Sequence, residues 1–178
     1  MYAPGARRCS GKWDTVTEGR ARRAGYLTAA AVMAADQLTK KLALGWLDLH
    51  RPVEVLGDVL RFTLVWNRGA AFSLPWGGPL FLSLITAAAA VFMLVLIWRL
   101  AGRSRLFTAG MGLILGGALG NLLDRFMYGS VVDFIDVGIG GSRWPTFNLA
   151  DIAITVGGII LVILYRRETV APSEEGDD

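Results

Sequence analysis

PLFLSLITAAAAVFMLVLIW, the run from Pro79 to Trp98, is twenty residues without a single charge. As a helix rising 1.5 Å per residue it reaches about 30 Å, the thickness of a bilayer's hydrocarbon core. Two further runs, Leu106 to Leu123 and Phe147 to Tyr165, are also long and apolar enough to cross, and a fourth, Ala24 to Leu47, is interrupted by charge. In a chain of 178 residues that is 53% apolar, with a mean hydropathy of +0.46, these runs predict an α-helical integral membrane protein with four transmembrane helices.

The basic residues give the orientation. Arg7, Arg8, Lys12, Arg20, Arg22 and Arg23 precede the first span, Arg99, Arg103 and Arg105 link the second to the third, and Arg166 and Arg167 follow the last. The positive-inside rule places these segments, and both termini, in the cytoplasm. The expected organisation is a basic tail (1–23), one membrane catalytic domain (24–167) and an acidic, disordered tail (168–178). The N-terminal segment is read as retained, because Asp36 and Lys40 sit inside the first apolar block. Two connections then face outward. Val53 to Leu74, rich in Val, Leu, Phe, Thr and Trp with Gly57-Asp58 as a turn signal between two extended runs, predicts a small β segment. Residues 126–146 are expected to be an outer loop, with a mobile Gly-rich stretch at 138–142. Trp46, Trp66, Trp76, Trp98 and Trp144 fall where an aromatic belt would lie.

Cys9 and His50 are the only cysteine and histidine. One cysteine builds neither a disulfide nor a Cys-based zinc site within the chain, and Cys9 reads as an incidental tail thiol. With His50 as the sole imidazole, in an interfacial stretch, Ser-His-Asp and Cys-His hydrolases are disfavoured. The chemistry has to be sought among carboxylates.

An ionisable group inside a span costs about 2.5 to 3.5 kcal/mol on insertion scales, so each one is a functional candidate. Asp36 and Lys40, four apart, share a helix face and can pair. Asn121, Asp124 and Arg125 close the third span at its outer end, and Asn148 and Asp151 open the fourth. Beside them lies VVDFID, Val131 to Asp136. In an extended chain Asp133 and Asp136 point to opposite faces, and parity alone leaves open which one faces inward. Two adjacent aspartates can share a proton, one activating water while the other polarises a peptide carbonyl. Structural readings stand beside the functional ones. Asn148 with Asp151 resembles a helix N-cap, Asp36 with Lys40 an ion pair that serves insertion, Asp124-Arg125 a helix end, Asn67-Arg68-Gly69 a turn, and Asp136 a solvated loop residue. Two other classes fit parts of the pattern: a Mg²⁺ enzyme acting on lipid phosphate through Asp124, Asp133 and Asp151, and an ion-coupled carrier using Asp36, Lys40 and Asp151, which the absence of an internal repeat disfavours.

Four blocks, DQLTK from Asp36 to Lys40, NRGAAFS from Asn67 to Ser73, GGALGNLLDR from Gly116 to Arg125 running on to GSVVDF from Gly129 to Phe134, and FNLAD from Phe147 to Asp151, resemble in order and spacing the signature blocks of bacterial lipoprotein signal peptidase (signal peptidase II). The resemblance implies an aspartic endopeptidase of the bacterial cytoplasmic membrane that removes signal peptides from diacylglyceryl-modified prolipoproteins, cutting just before the modified cysteine near the outer leaflet. It implies Asp133 and Asp151 as the catalytic pair, Asn67, Arg68, Asn121, Arg125 and Asn148 as substrate-binding residues, and Asp36, Lys40 and Asp124 as polar supports. It further implies a β cradle over 53–74, no metal or cofactor, and inhibition by globomycin. Diacylated prolipoproteins and membrane lipids are the expected partners, without nucleic acid, and the chain is expected to act as a monomer.

Overall fold

The computed structural model describes residues 12–69, 79–101 and 104–170. Cys9 and the basic residues before Lys12, Ala70 to Leu74 of the expected β segment, Trp76, Arg103 and the acidic tail beyond Val170 lie outside the described residues.

Four helices carry the chain: α1 (Lys12–Trp46), α2 (Pro79–Leu100), α3 (Arg105–Tyr128) and α4 (Leu149–Val170). Three of the described helices, Leu80–Leu100, Arg105–Tyr128 and Leu149–Arg166, with mean hydropathies of 2.8, 1.6 and 2.0, are long and apolar enough to cross a membrane. The first helix is not among them, because Asp36, Lys40, Lys41 and its basic N-terminal part lower its mean. Nor does it begin where the sequence suggests. Residues 12–23, expected as tail, are its first turns, held by the Glu18–Arg22 pair at 3.2 Å and by Arg22 stacked 5.5 Å over the Trp98 ring on α2. At the other end α4 continues to Val170, beyond the expected boundary.

α3 is the central helix, packing on α1, α2 and α4. Its glycines make that closeness feasible. A Cβ at Gly112 or Gly116 would lie 2.5 Å from a backbone oxygen of α1 (Gly25 or Ala29), and one at Gly117 would lie 2.5 Å from Ala150 O of α4. Without a hydrophobic drive between helices in lipid, such backbone approach supplies much of the association. The helix starts at Ser104, whose hydroxyl accepts Phe107 N at 3.0 Å, and stops at Gly129, which adopts φ +69 and returns its N–H to Arg125 O. Large apolar side chains of α2 and α4, among them Phe81, Leu84, Phe92, Ile159 and Val162, face outward, as a lipid-facing surface requires.

Outside the bundle stands a four-stranded antiparallel sheet in the order β1 (Val53–Leu56), β2 (Leu60–Asn67), β3 (Val131–Ile139), β4 (Ser142–Arg143). The expected outer loop is therefore largely strand. Its Gly-rich stretch closes β3 onto β4 through the two-residue turn Gly140-Gly141, with Ile139 opposite Ser142 and Gly140 at φ +56. Of the tryptophans, Trp46 is 85% exposed and Trp98 and Trp144 are also exposed, whereas Trp66 packs edge-on against Tyr128 at 5.3 Å.

Candidate active site

Asp36, Lys40, Asn121, Asp124, Asp133 and Asn148 are all buried, and buried charges persist only when paired and hydrogen-bonded. Lys40 meets that condition completely. Its ammonium, 2% exposed, lies 2.8 Å from both Asp36 Oδ2 and Asp124 Oδ2 and donates to Asn121 Oδ1 at 2.9 Å, so each of its N–H bonds has an acceptor. Asp36 also accepts Ala150 N at 3.0 Å, which ties α1 to the first turn of α4. Asp124 accepts Val132 N at 3.1 Å and Gln37 Nε2 at 2.8 Å. Gly120 lets α3 come this close, because a Cβ there would collide with the Asp36 carboxylate.

Lys40 hands the network on to Asn121. With its oxygen facing Lys40, the Asn121 amide donates to Asp151 Oδ1 at 2.9 Å. Asn148 then joins the two candidate carboxylates: its Nδ2 donates to Asp133 Oδ1 at 2.7 Å and to Asn121 Oδ1 at 3.0 Å, while its Oδ1 accepts Asp151 N at 3.1 Å. Asp151 Oδ2 accepts Asn148 N at 3.1 Å in return. This reciprocal exchange is a capping box at the start of α4. The cap and the site are thus one arrangement, and the two readings of Asn148 and Asp151 are compatible.

Asp133 Oδ2 accepts Asn67 Nδ2 at 2.8 Å, and Asn67 is oriented by Gly69 N, which donates to its Oδ1 at 2.8 Å. A register shift makes this contact. Phe62 pairs with Ile135 but Val65 pairs with Asp133, so β2 carries one extra residue at Thr63-Leu64. Such a bulge reverses the side-chain alternation beyond it. Asn67, opposite Val131, thereby shares the face of Asp133, and in a regular register it would point the other way.

Burial is the largest influence on Asp133, which is 2% exposed, and it pushes the carboxyl up to about 6. The Asn67 hydrogen bond opposes this, the charge of Asp151 adds to it, and the Asn148 bond and the charge of Lys40 oppose it. Arg125 donates to Asn121 O at 3.3 Å, and its positive charge is felt by Asp151, Asp133 and Asp124.

Arg68 is exposed, and among the described residues the side-chain donors to Asp133 are Asn67 and Asn148. Asp136 is not a solvated loop residue: it is 7% exposed, accepting Thr63 Oγ1 at 3.0 Å and Arg143 Nε at 2.6 Å. Parity had put it on the face away from Asp133, but that face is covered by Thr63 and Arg143. Gln37 and Arg143 went unremarked in the sequence. Gln37 lies inside the Asp36 to Lys40 block and was findable there; nothing local distinguishes Arg143. Asp124 is turned to Lys40, Gln37 and Val132 N, away from the arrangement a three-carboxylate Mg²⁺ site would need.

Two apolar hollows flank the polar cluster. One of about 240 Å³ lies between the C-terminal end of α1 and the sheet, lined by Leu42, Trp46, Phe62 and Phe134 among others. The other, about 590 Å³, runs between α1, α2 and α3, lined by Met33, Leu80, Leu119, Leu122 and Phe126, with Arg125 also on its wall.

Apolar helices around a buried carboxylate network, beside a small sheet, define a helical membrane protein with a buried polar site. Two solved structures, both described as bacterial membrane enzymes obtained by the in meso method, share the fold. One has a TM-score of 0.75 and 31% identity, covering 86% of this chain and 94% of that one; the other has a TM-score of 0.73 and 33% identity, covering 79% and 91%. The family model for signal peptidase (SPase) II matches residues 28–166. Lipoprotein signal peptidases of Chlorobium luteolum and Mycobacterium avium are 41% and 42% identical over 150 and 159 residues, covering 79% and 84% of this chain and 90% and 84% of theirs. That of Rhodococcus jostii is 46% identical over 145 residues, covering 78% of this chain and 70% of its own. The chain belongs to the signal peptidase II family and is a peptidase.

Proposed function

We propose that the protein is an aspartic endopeptidase that removes signal peptides from diacylglyceryl-modified prolipoproteins, cutting just before the modified cysteine, with Asp133 and Asp151 as its catalytic pair. The observation that carries this reading is the single asparagine, Asn148, which hydrogen-bonds both residues. In the proposed reaction Asp151 takes a proton from water as the water oxygen bonds to the scissile carbonyl carbon. Asp133, held at about 6 by burial, delivers the shared proton to the carbonyl oxygen. The tetrahedral diol then collapses: Asp133 recovers a proton from one hydroxyl, Asp151 protonates the departing cysteine nitrogen, and the C–N bond breaks. No cofactor enters.

Asn67, Asn121, Arg125 and Asn148 are proposed to bind substrate or hold the pair, with Asp36, Lys40 and Asp124 as supports. Arg68, exposed at the end of β2, is proposed to meet substrate before the site does. The sheet is proposed as the cradle for the precursor's extended residues, and the groove beside Arg125 as the place for its apolar chain. We place the enzyme in the bacterial cytoplasmic membrane as a monomer with four spans, α1 being the fourth. Both termini would be cytoplasmic and the site near the outer leaflet. The catalytic domain is proposed as 24–167 between the segments 1–23 and 168–178, with α1 and α4 extending past these bounds to Lys12 and Val170. Partners are diacylated prolipoproteins and membrane lipids.

The test uses purified protein in lipid with a diacylated precursor peptide and the same peptide unmodified. The expected product begins at the lipid-modified cysteine, forms only from the diacylated peptide, forms equally with or without excess chelator, and is blocked by globomycin. Cleavage at another bond, or equal cleavage of the unmodified peptide, would refute this specificity.

A further inference from the structure

Arg143 touches neither candidate catalytic carboxylate, yet its guanidinium gathers four acceptors from two separate segments. Nε donates to Asp136 Oδ1 at 2.6 Å and Nη2 to Asp136 O at 3.1 Å, while Nη1 donates to Asp58 O at 2.8 Å and reaches Asp58 Oδ1 at 3.4 Å. The side chain is only 19% exposed. Asp58 in turn accepts from Arg61 of β2 and from Gly140 N in the β3–β4 turn. Glu54 lies 3.6 Å from Arg61. The Gly57-Asp58 turn, β2, β3 and β4 are therefore fastened at one point. Gly138, paired with Arg143, leaves no room for a side chain there, since a Cβ would sit 2.7 Å from Arg143 Cα.

From this point the chain returns along β3 to the candidate site. Trp144 N donates to Val137 O at 2.8 Å, Phe147 N to Ile135 O at 3.0 Å, and Ile135 N to Phe147 O at 2.8 Å. Asn148 follows at once and grips Asp133 at 2.7 Å. Asp133 and Asp136 are held on the two faces of the same strand, so a displacement of β3 at Asp136 is carried to Asp133 while the return segment carries Asn148 with it.

We propose that Arg143 is a positioning residue: by clamping Asp136 to the Asp58 turn it sets β3 against the return segment and so fixes the approach of Asn148 to Asp133. The inference rests on the dyad reading above. A guanidinium suits the role because its planar fork serves two segments at once, where an ammonium offers a point charge. A misplacement of about 1 Å at reacting groups costs on the order of 10²-fold in rate, so loss of the clamp should appear in kcat.

The experiment compares Arg143→Gln, Arg143→Lys, Asp136→Asn and the Arg143→Gln/Asp136→Asn double variant in lipid, with Asp133→Asn alongside. Rates are divided by the folded fraction of each preparation. Expected for Arg143→Gln is a kcat about 10- to 100-fold lower with KM changed less than about threefold, Arg143→Lys intermediate, and the double variant no worse than Arg143→Gln. Asp133 faces Asp151, Lys40 and Arg125, and none of these is altered. Water entering at a loosened hairpin should therefore move the alkaline limb of kcat/KM to lower pH, which a loss of folded protein alone would not do. An Arg143→Gln enzyme with wild-type kcat and limb overturns the clamp, as does a loss explained wholly by the folded fraction, or strictly additive single effects. If Arg143→Gln does not fold, Asp136→Asn with wild-type kcat and limb overturns it equally. An active Asp133→Asn overturns the dyad and the clamp together, whereas an inactive Asp133→Asn beside an unaffected Arg143→Gln overturns the clamp alone.

Discussion

Lys40 pairs with two buried aspartates and hydrogen-bonds the asparagine that leads to Asp151. Removing one member of such a set strands the others without a counter-charge, which costs about 3–5 kcal/mol. Lys40→Met should accordingly lower unfolding stability by about that much, measurable by denaturant titration in detergent, and a change below about 1 kcal/mol would contradict the network. Asp133 gives a pH signature. Its carboxyl titrates near 6 folded against 3.8 unfolded, so the folded state binds more protons between those values. The associated stability is present below about 3.8 and lost as pH rises to about 6, amounting to about 3 kcal/mol at most. The stability difference between wild type and Asp133→Asn should change across that interval and stay flat above it. The Asp36–Lys40 pair was legible because both residues lie on one helix four apart. Which of Asp133 and Asp136 faces the cluster was not legible from parity, since that depends on which side of β3 meets the bundle.

At the scale of elements, the adjacent glycines Gly157 and Gly158 of α4 make a sharp comparison. A Cβ at Gly157 would lie 2.6 Å from Gly110 O of α3, whereas one at Gly158 meets nothing within 4 Å. Gly157→Ala should force the helices apart and destabilise by about 1–3 kcal/mol. Gly158→Ala should be neutral, or stabilising by up to about 1 kcal/mol through helix propensity. Equal melting temperatures for the two variants would refute the packing described. The β1–β2 turn was readable from Gly57-Asp58 between two extended runs rich in Val, Leu and Phe. Two features were hidden. The bulge at Thr63-Leu64 is a property of how two distant strands register, and it alone turns Asn67 toward Asp133. The strand from Val131 to Ile139 looked like loop because its ladder partner lies some seventy residues earlier in the chain, and its glycines, which suggested mobility, serve close pairing and a tight turn.

For the whole molecule, composition and three long apolar runs sufficed to place the chain among membrane proteins, because lipid admits only helices or closed barrels across its core. The polar cluster was visible as an excess of ionisable residues where insertion disfavours them, but its connectivity was not: Lys40, Asn121, Asn148 and Asp133 come from α1, α3, the start of α4 and β3, and only the tertiary fold joins them. The central proposal is that Asp133 and Asp151 act as one acid–base pair. Single-turnover cleavage of a diacylated precursor peptide by wild type, Asp133→Asn and Asp151→Asn, each verified as folded, tests it most directly. The account predicts that either substitution lowers the rate by roughly 10³-fold or more, and wild-type turnover by either variant would contradict it.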